Sequence, residues 1–397
     1  MIIAYKSTQI VLENIVFNGY LIVENGKIKE VTTQAENIDV VDCGHDRLLP
    51  GIFDTHNHGV MGYSLMSGGD PVHDKATLLG YLKGIASQGV TSILPTSEIG
   101  LFSAIADLSK TKEGAQIRGI HSEGPWLNRV GEKGIKTGYP EADLKVAQKM
   151  VELAKGTLKL VALAPEIPGI NAIRDYFISQ GIHVAFAHSD DNFEEAMVAF
   201  DGGITVSTHT GNVMTGLHHR DIGGLGAALF HPNVDCEVIC DGKHISLEMI
   251  KLYFRVKPTN RFMMVSDCTP LSGAPLGRYL MFKDMYATIT PEGFCLTDTG
   301  RLMGSTMPVV YGIRNLVEIV KLPIQTVCQM ASLNPARKYG CGDTKGSLAV
   351  GKDADFFVLS PDYRVKATYL KGEKIFDAKK DVNLFNPDFF KDAGIQQ

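Results

Sequence analysis

Eight short apolar runs, separated by segments of helical character, predict an α/β fold in which the runs become parallel strands. Each run is bounded by Gly, Pro, Asn or Asp, as buried parallel strands are. Six side chains of metal-ligand type lie at the right-hand ends of these runs. Side chains from different strand ends converge only if the strands are parallel and closed in a ring, and they then meet at its C-terminal mouth. The expected architecture is a TIM-like (β/α)8 barrel over residues 48–343 with metal-ligand side chains at its mouth, and a small β-sandwich domain built from both chain termini, 1–47 and 344–397.

The runs are 51–56, 90–96, 117–123, 158–165, 183–188, 204–209, 236–241 and 261–267. Helical segments fall between most of them, at 74–88, 141–154, 172–180, 193–200 and 247–255. The N-terminal part alternates polar and apolar residues around Asn25-Gly26, a hairpin-turn pair. A matching set occurs at the other end, at 355–359 and 367–376, so the two ends are expected to pair. The Gly-rich stretch 223–226 follows no strand directly and lacks the rest of a dinucleotide fingerprint, so it reads as a loop and helix start.

Bulk properties fit an enzyme-sized protein. The 397 residues suffice for one large and one small domain. A net charge of −5 argues against a general nucleic-acid or anionic-membrane role. No apolar stretch reaches the length of a membrane span, and residues 1–6 do not begin a secretory signal. The seven cysteines form no Cys-x-x-Cys pair, which suits reduced thiols in a cytoplasmic protein.

Each candidate ligand has its own chemistry. His56 and His58 are alternate residues on one strand, so both imidazoles point the same way and suit a first-row divalent metal. A chance pair at a polar strand end is the bland alternative. Glu123, just before Gly124-Pro125, can bind one metal, bridge two, or merely cap the next helix. His188 and His209 end successive strands; a single histidine there is more often a rim residue, but a matched pair reverses that. His121 and His183 occupy other strand positions and receive no role. Asp267 ends the eighth run; facing a metal-activated water it can take a proton and pass it to a leaving group, and otherwise it is a helix cap.

Together these motifs resemble the amidohydrolase superfamily and, within it, the N-acetylglucosamine-6-phosphate deacetylases. The resemblance spans 49–58, 121–126, 207–214, 240–244, 265–268, 302–306 and 346–359. Many binuclear members bridge their metals with a carboxylated lysine ending the fourth strand. Here that strand ends in Ala164-Pro165-Glu166, so the resemblance makes Glu123 the bridging substitute. It implies one or two divalent ions (Zn, Fe, Mn or Co) held by His56, His58, Glu123, His188, His209 and Asp267. It also implies hydrolysis of the acetamide of N-acetyl-D-glucosamine 6-phosphate by metal-activated hydroxide, with Asp267 as base and then acid. Substrate contacts carried over are Asn212, the backbone at Val213, Arg220 as a phosphate ligand, His244, and Leu302 with Met303 closing over the sugar. Arg220 is expected to reach the neighbouring subunit's phosphate, which implies a homodimer.

Two departures stand out. The family reads Thr-His-Leu-aromatic-Asn-Ala-Met where this chain has Thr210, Gly211 and Val213, a change that reshapes the sugar pocket. The family's Lys-Gly-Ala-His after the Glu-Gly-Pro motif is replaced by Lys133-Gly134-Ile135-Lys136. The resemblance has that histidine contact the scissile carbonyl, and Lys136 can polarise the same oxygen or bind an anionic group on another substrate. The competing readings are therefore a deacetylase of another amino sugar phosphate, such as the galactosamine epimer, or hydrolysis of a different amide. Ring deamination lacks a clear glutamate–histidine pair. A non-catalytic barrel would have no need of six ligand-type residues.

Overall fold

The computed structural model describes residues 2–66, 68–130, 135–282 and 285–389. It is an α/β protein with mixed sheets. Two all-parallel sheets carry the predicted runs. The first contains Ile52–Asn57, Val90–Pro95 and Gln116–Ile117. The second orders Ile120–Glu123, Leu158–Leu163, His183–Phe186, Val206–Ser207, Asp235–Ile239 and Phe262–Val265. The predicted third run is thus split between the sheets, the break falling at Arg118-Gly119. Isolated parallel bridges join the sheet edges, Thr96 to His121 on one side and Asn57 to Cys268 on the other.

Alternation along these strands sorts their side chains into two groups. Phe53, Leu94, Leu160, Ala162, Ala185, Val206 and Met263 form one buried cluster. Their neighbours Ile52, Ile93, Val161, Leu163, Val184 and Met264 join the larger core shared with the helices. Burial on both faces explains why the runs read as continuously apolar.

The helices begin where the sequence supplies caps. Pro71–Ala86 starts at Asp70, whose side chain accepts from the Val72 and His73 amides, with proline in the first turn. Phe193–Asp201 opens on a capping box between Asn192 and Glu195. Leu247–Val256 is capped by Ser246. The helix Gly223–Phe230 does begin at the glycine-rich stretch.

The two chain ends pair into one eight-stranded sheet, with Arg47–Pro50 hydrogen-bonded between Ile2–Val11 and Phe356–Leu359. The hairpin turns at Asn25 and Gly26, both at positive φ, as a two-residue turn of this hand requires. Its apolar face holds a separate core that includes Tyr5, Leu21, Phe356 and Tyr369. Residues 385–389 leave this sheet: the Asn386 amide donates to Met61 O at 2.8 Å, beyond the C-terminal end of the strand Ile52–Asn57. Residues 1 and 390–397 of the predicted sandwich domain lie outside the described residues. So do Lys133 and Gly134. A further antiparallel sheet, Gly277–Phe282, Met285–Ile289 and Cys295–Thr297, follows the last parallel strand.

Among the described residues no helix is long and apolar enough to cross a membrane. All seven cysteines carry free thiols.

Candidate metal centre and substrate cavity

His56 and His58 close the first parallel strand, Glu123 the third, and His188, His209 and Asp267 follow the strands before them. The structure brings all six together. Glu123 lies at the centre. Its Oε1 is 3.0 Å from both His188 Nε2 and His209 Nε2. Its Oε2 is 3.1 Å from His58 Nε2 and 3.6 Å from His56 Nε2. Asp267 Oδ1 stands 3.4 Å from both His56 Nε2 and His58 Nε2. Two donor groups result, His56–His58–Glu123 and Glu123–His188–His209, sharing one carboxylate.

The donor chemistry fits a divalent cation. His188 Nδ1 lies 2.6 Å from the Arg129 carbonyl, which can only accept. Nδ1 therefore carries the proton and Nε2 turns a lone pair inward. His56 Nε2 and His58 Nε2 are 3.0 Å apart, and His188 Nε2 and His209 Nε2 3.1 Å apart. Lone pairs crowded this closely around a carboxylate need positive charge among them. Burial lowers the pKa of His56, but Asp267 and Glu123 outweigh it and raise it well above the ordinary value. Burial raises that of Glu123, but His56 and His188 hold it well below the usual carboxylate range.

Backbone geometry is unusual at the same places. His188, His209, Val213 and Asp267 all adopt left-handed φ, at 52°, 29°, 51° and 48°. Non-glycine residues rarely do so, and a β-branched one less often still. Such conformations persist where surrounding structure over-determines them, commonly at functional sites.

The cavity beside these side chains measures about 430 Å³. His58, Glu123, His188, His209 and Asp267 line it, together with Asn212, Val213, His244, Leu302 and Met303. Asp241 accepts from His244 Nδ1 at 2.8 Å and orients that ring. Three residues singled out in the sequence stand outside the lining, and of these His56 is fully buried behind it. Lys136 is paired with Asp190 at 3.0 Å, its side chain 67% exposed. Arg220 is exposed beside a separate groove with Asn192, Phe193, Glu194 and His219.

Other residues were not anticipated. Glu237 is fully buried beneath His56, accepting from the Thr55 hydroxyl at 2.5 Å. Its signal was a charge inside the apolar strand Asp235–Ile239. His121 is also buried, its ring 4.6 Å from that of His56. Phe389, far off in sequence, lines the cavity and had no local signal.

The amidohydrolase family model matches residues 47–375. The chain belongs to the amidohydrolase family. Within it, the chain stands with the N-acetylglucosamine-6-phosphate deacetylases. It is 32% identical to the N-acetylglucosamine-6-phosphate deacetylase of Vibrio furnissii, over 89% of this chain and 90% of that one. It is also 32% identical to the N-acetylgalactosamine-6-phosphate deacetylase of Escherichia coli O157:H7, over 85% and 89%. The crystal structure of N-acetylglucosamine-6-phosphate deacetylase from Pasteurella multocida superposes with a TM-score of 0.84 at 25% identity, covering 94% of this chain and 99% of that one. This amidohydrolase is therefore a hydrolytic enzyme whose His and Glu groups can hold metal.

Proposed function

We propose that this chain hydrolyses the acetamide of N-acetyl-D-glucosamine 6-phosphate to glucosamine 6-phosphate and acetate. The observation that carries the reading is the convergence of His58, His188, His209, Glu123 and Asp267 on one cavity, with His56 buried directly behind them. The deacetylase relatives support the substrate.

A bound divalent ion supplies Lewis acidity for the carbonyl and lowers the pKa of water near it. His56, His58, His188 and His209 hold it, and the two donor groups that share Glu123 favour two ions. Zn, Fe, Mn and Co all suit this donor set. Asp267 accepts the attacking water's proton and returns it to the departing amine. His244, fixed by Asp241, and Asn212 with the Val213 backbone hold the sugar, while Leu302 and Met303 close over it. Arg220 and Lys136 are cations available to the phosphate at or beyond the rim, Arg220 across a homodimer interface. The two parallel sheets, bridged at both edges, are read as a (β/α)8 barrel over 48–343, and the terminal sheet as a β-sandwich domain. The protein is read as cytoplasmic, with no nucleic-acid or membrane partner.

The galactosamine epimer is the second reading, favoured by the equal identity to the E. coli enzyme. Acetate release distinguishes them. The panel holds N-acetylglucosamine 6-phosphate, its galactosamine and mannosamine epimers and the unphosphorylated sugars, each with Zn-, Mn- and Fe(II)-loaded protein. Release from the gluco phosphate alone supports the first reading. Release from none removes the amino sugar.

A further inference from the structure

We propose that the C-terminal segment 385–389 is part of the substrate cavity, and that the Phe389 ring is the wall against which the sugar ring lies. The proposal rests on the amino sugar phosphate reading of that cavity. It concerns residues beyond the matched family model, which ends at 375.

The segment is docked specifically. The Asn386 amide donates to Met61 O at 2.8 Å. The Asn386 side chain donates to Gly62 O at 3.1 Å and accepts from the Asp388 amide at 3.1 Å. Gly62 has φ +80°, and a Cβ there would lie 2.8 Å from Phe389 Cβ and 3.0 Å from Asn386 Cβ. Only glycine allows so close an approach. The receiving turn joins Gly59–Val60 to Tyr63–Ser64, directly after the ligand His58. The Met61 amide is held by Ser272 O at 2.7 Å, and the Leu65 amide by His58 O at 2.9 Å. The strap is therefore anchored to the same segment that carries a metal ligand.

Phe389 packs on the other side against Tyr279 of the antiparallel insert, ring centroids 6.2 Å apart, and against Phe385 at 5.7 Å. It joins Met281 and Met303 at a small core beside the cavity. Among the described lining residues it is the only phenyl, phenol or indole ring. A pyranose presents C–H bonds on its faces, and a flat apolar ring is the side chain that matches such a face. The polar ligands at the floor hold the acetamide end, so the wall formed by Phe389, Met281 and Met303 falls to the sugar.

The test is steady-state deacetylation of N-acetylglucosamine 6-phosphate by the full chain and by Phe389→Ala, Phe389→Leu, Phe389→Tyr and Asn386→Ala, with metal content measured for each. Phe389→Ala is expected to raise KM roughly tenfold with kcat within about threefold and metal content unchanged. Phe389→Tyr should restore KM. Asn386→Ala should raise it less. If Phe389→Ala does not fold, Phe389→Leu keeps apolar bulk without the flat face and should still raise KM. A KM within twofold of the parent in Phe389→Leu and any folded Phe389→Ala overturns the proposal while leaving the reaction standing. A parent enzyme inert to every N-acetyl amino sugar phosphate overturns both.

Discussion

Glu237 Oε2 and His56 Nδ1 face each other at 3.8 Å, each fully buried and neither with another hydrogen-bond partner among the described residues. The other oxygen of Glu237 is held by Thr55, the residue before His56. A shift of under an ångström would close a carboxylate–imidazole bond, place the proton on Nδ1 and turn the Nε2 lone pair to the ion. Such partners fix ligand tautomer and orientation, and their loss typically costs about 10- to 100-fold in metal affinity or activity. Glu237→Gln is therefore expected to weaken metal binding by that range, read by competition with a chromophoric chelator, with melting of the metal-free protein little changed. Unchanged affinity would remove Glu237 from this role.

Much of this was legible in the sequence, for a physical reason. The parallel strands are buried on both faces, so each appears as a bounded apolar run, and its end is where a polar side chain can reach the mouth. His56, His58, Glu123, His188, His209 and Asp267 stand at or just beyond such ends, and the structure brings them together. Glu237 left a trace, a charge within a buried strand, but one residue cannot say which ligand it faces. Phe389 left none. Its place depends on the chain crossing from the terminal sheet to the turn at Gly62, a tertiary docking with no local period. The split of the third strand at Arg118-Gly119, and so the division into two parallel sheets, was also invisible in the apolar pattern.

Asp267 offers Oδ1 at 3.4 Å from both His56 and His58 and lies at the cavity floor. Proton transfer by a positioned side chain contributes typically about 100- to 10,000-fold. Asp267→Asn keeps the shape and removes the base, so kcat should fall by that order with the fold intact and metal retained. Near-normal turnover with metal bound would exclude the proton-transfer role.

Arg220 lies outside the cavity lining, so any role in phosphate binding runs through a second copy of the chain. Arg220→Ala is expected to raise KM about tenfold or more for the phosphorylated substrate, with little change for the unphosphorylated sugar. Mixing Arg220→Ala with inactive Asp267→Asn protein should restore low-KM turnover if the arginine serves its neighbour. Equal loss on both substrates would make it structural.

Asp191 gives a pH dependence away from the ligands. Burial first, then Glu166, Glu195 and Asp190, raise its pKa from 3.8 to about 7. Below pH 3.8 both folded and unfolded forms are protonated and the group has no effect. Between 3.8 and 7 the unfolded chain ionises it first, and above 7 the folded protein carries the full penalty. Asp191→Asn should therefore raise Tm by roughly 2 °C or more at pH 8 and clearly less at pH 5. Equal gains at both would assign the effect to packing.

Gly211 stands two residues after His209, where the family resemblance sets an aromatic residue, and the structure gives a reason for glycine. Its φ is +101°, and a Cβ there would collide with the hydroxyl of Tyr253. That tyrosine comes from the helix Leu247–Val256 and is 1% exposed. The space at this strand end is thus filled from the helix rather than from the loop, and the two positions are coupled. Gly211→Ala should destabilise by about 2–4 kcal/mol, combining left-handed backbone strain with the steric clash. Tyr253→Phe removes the clashing atom and leaves the strain. The cost of Gly211→Ala should fall by about 1 kcal/mol or more in the Tyr253→Phe background, read as non-additive shifts in thermal melting. Additive shifts would show that backbone conformation alone demands the glycine, and that Tyr253 does not select it.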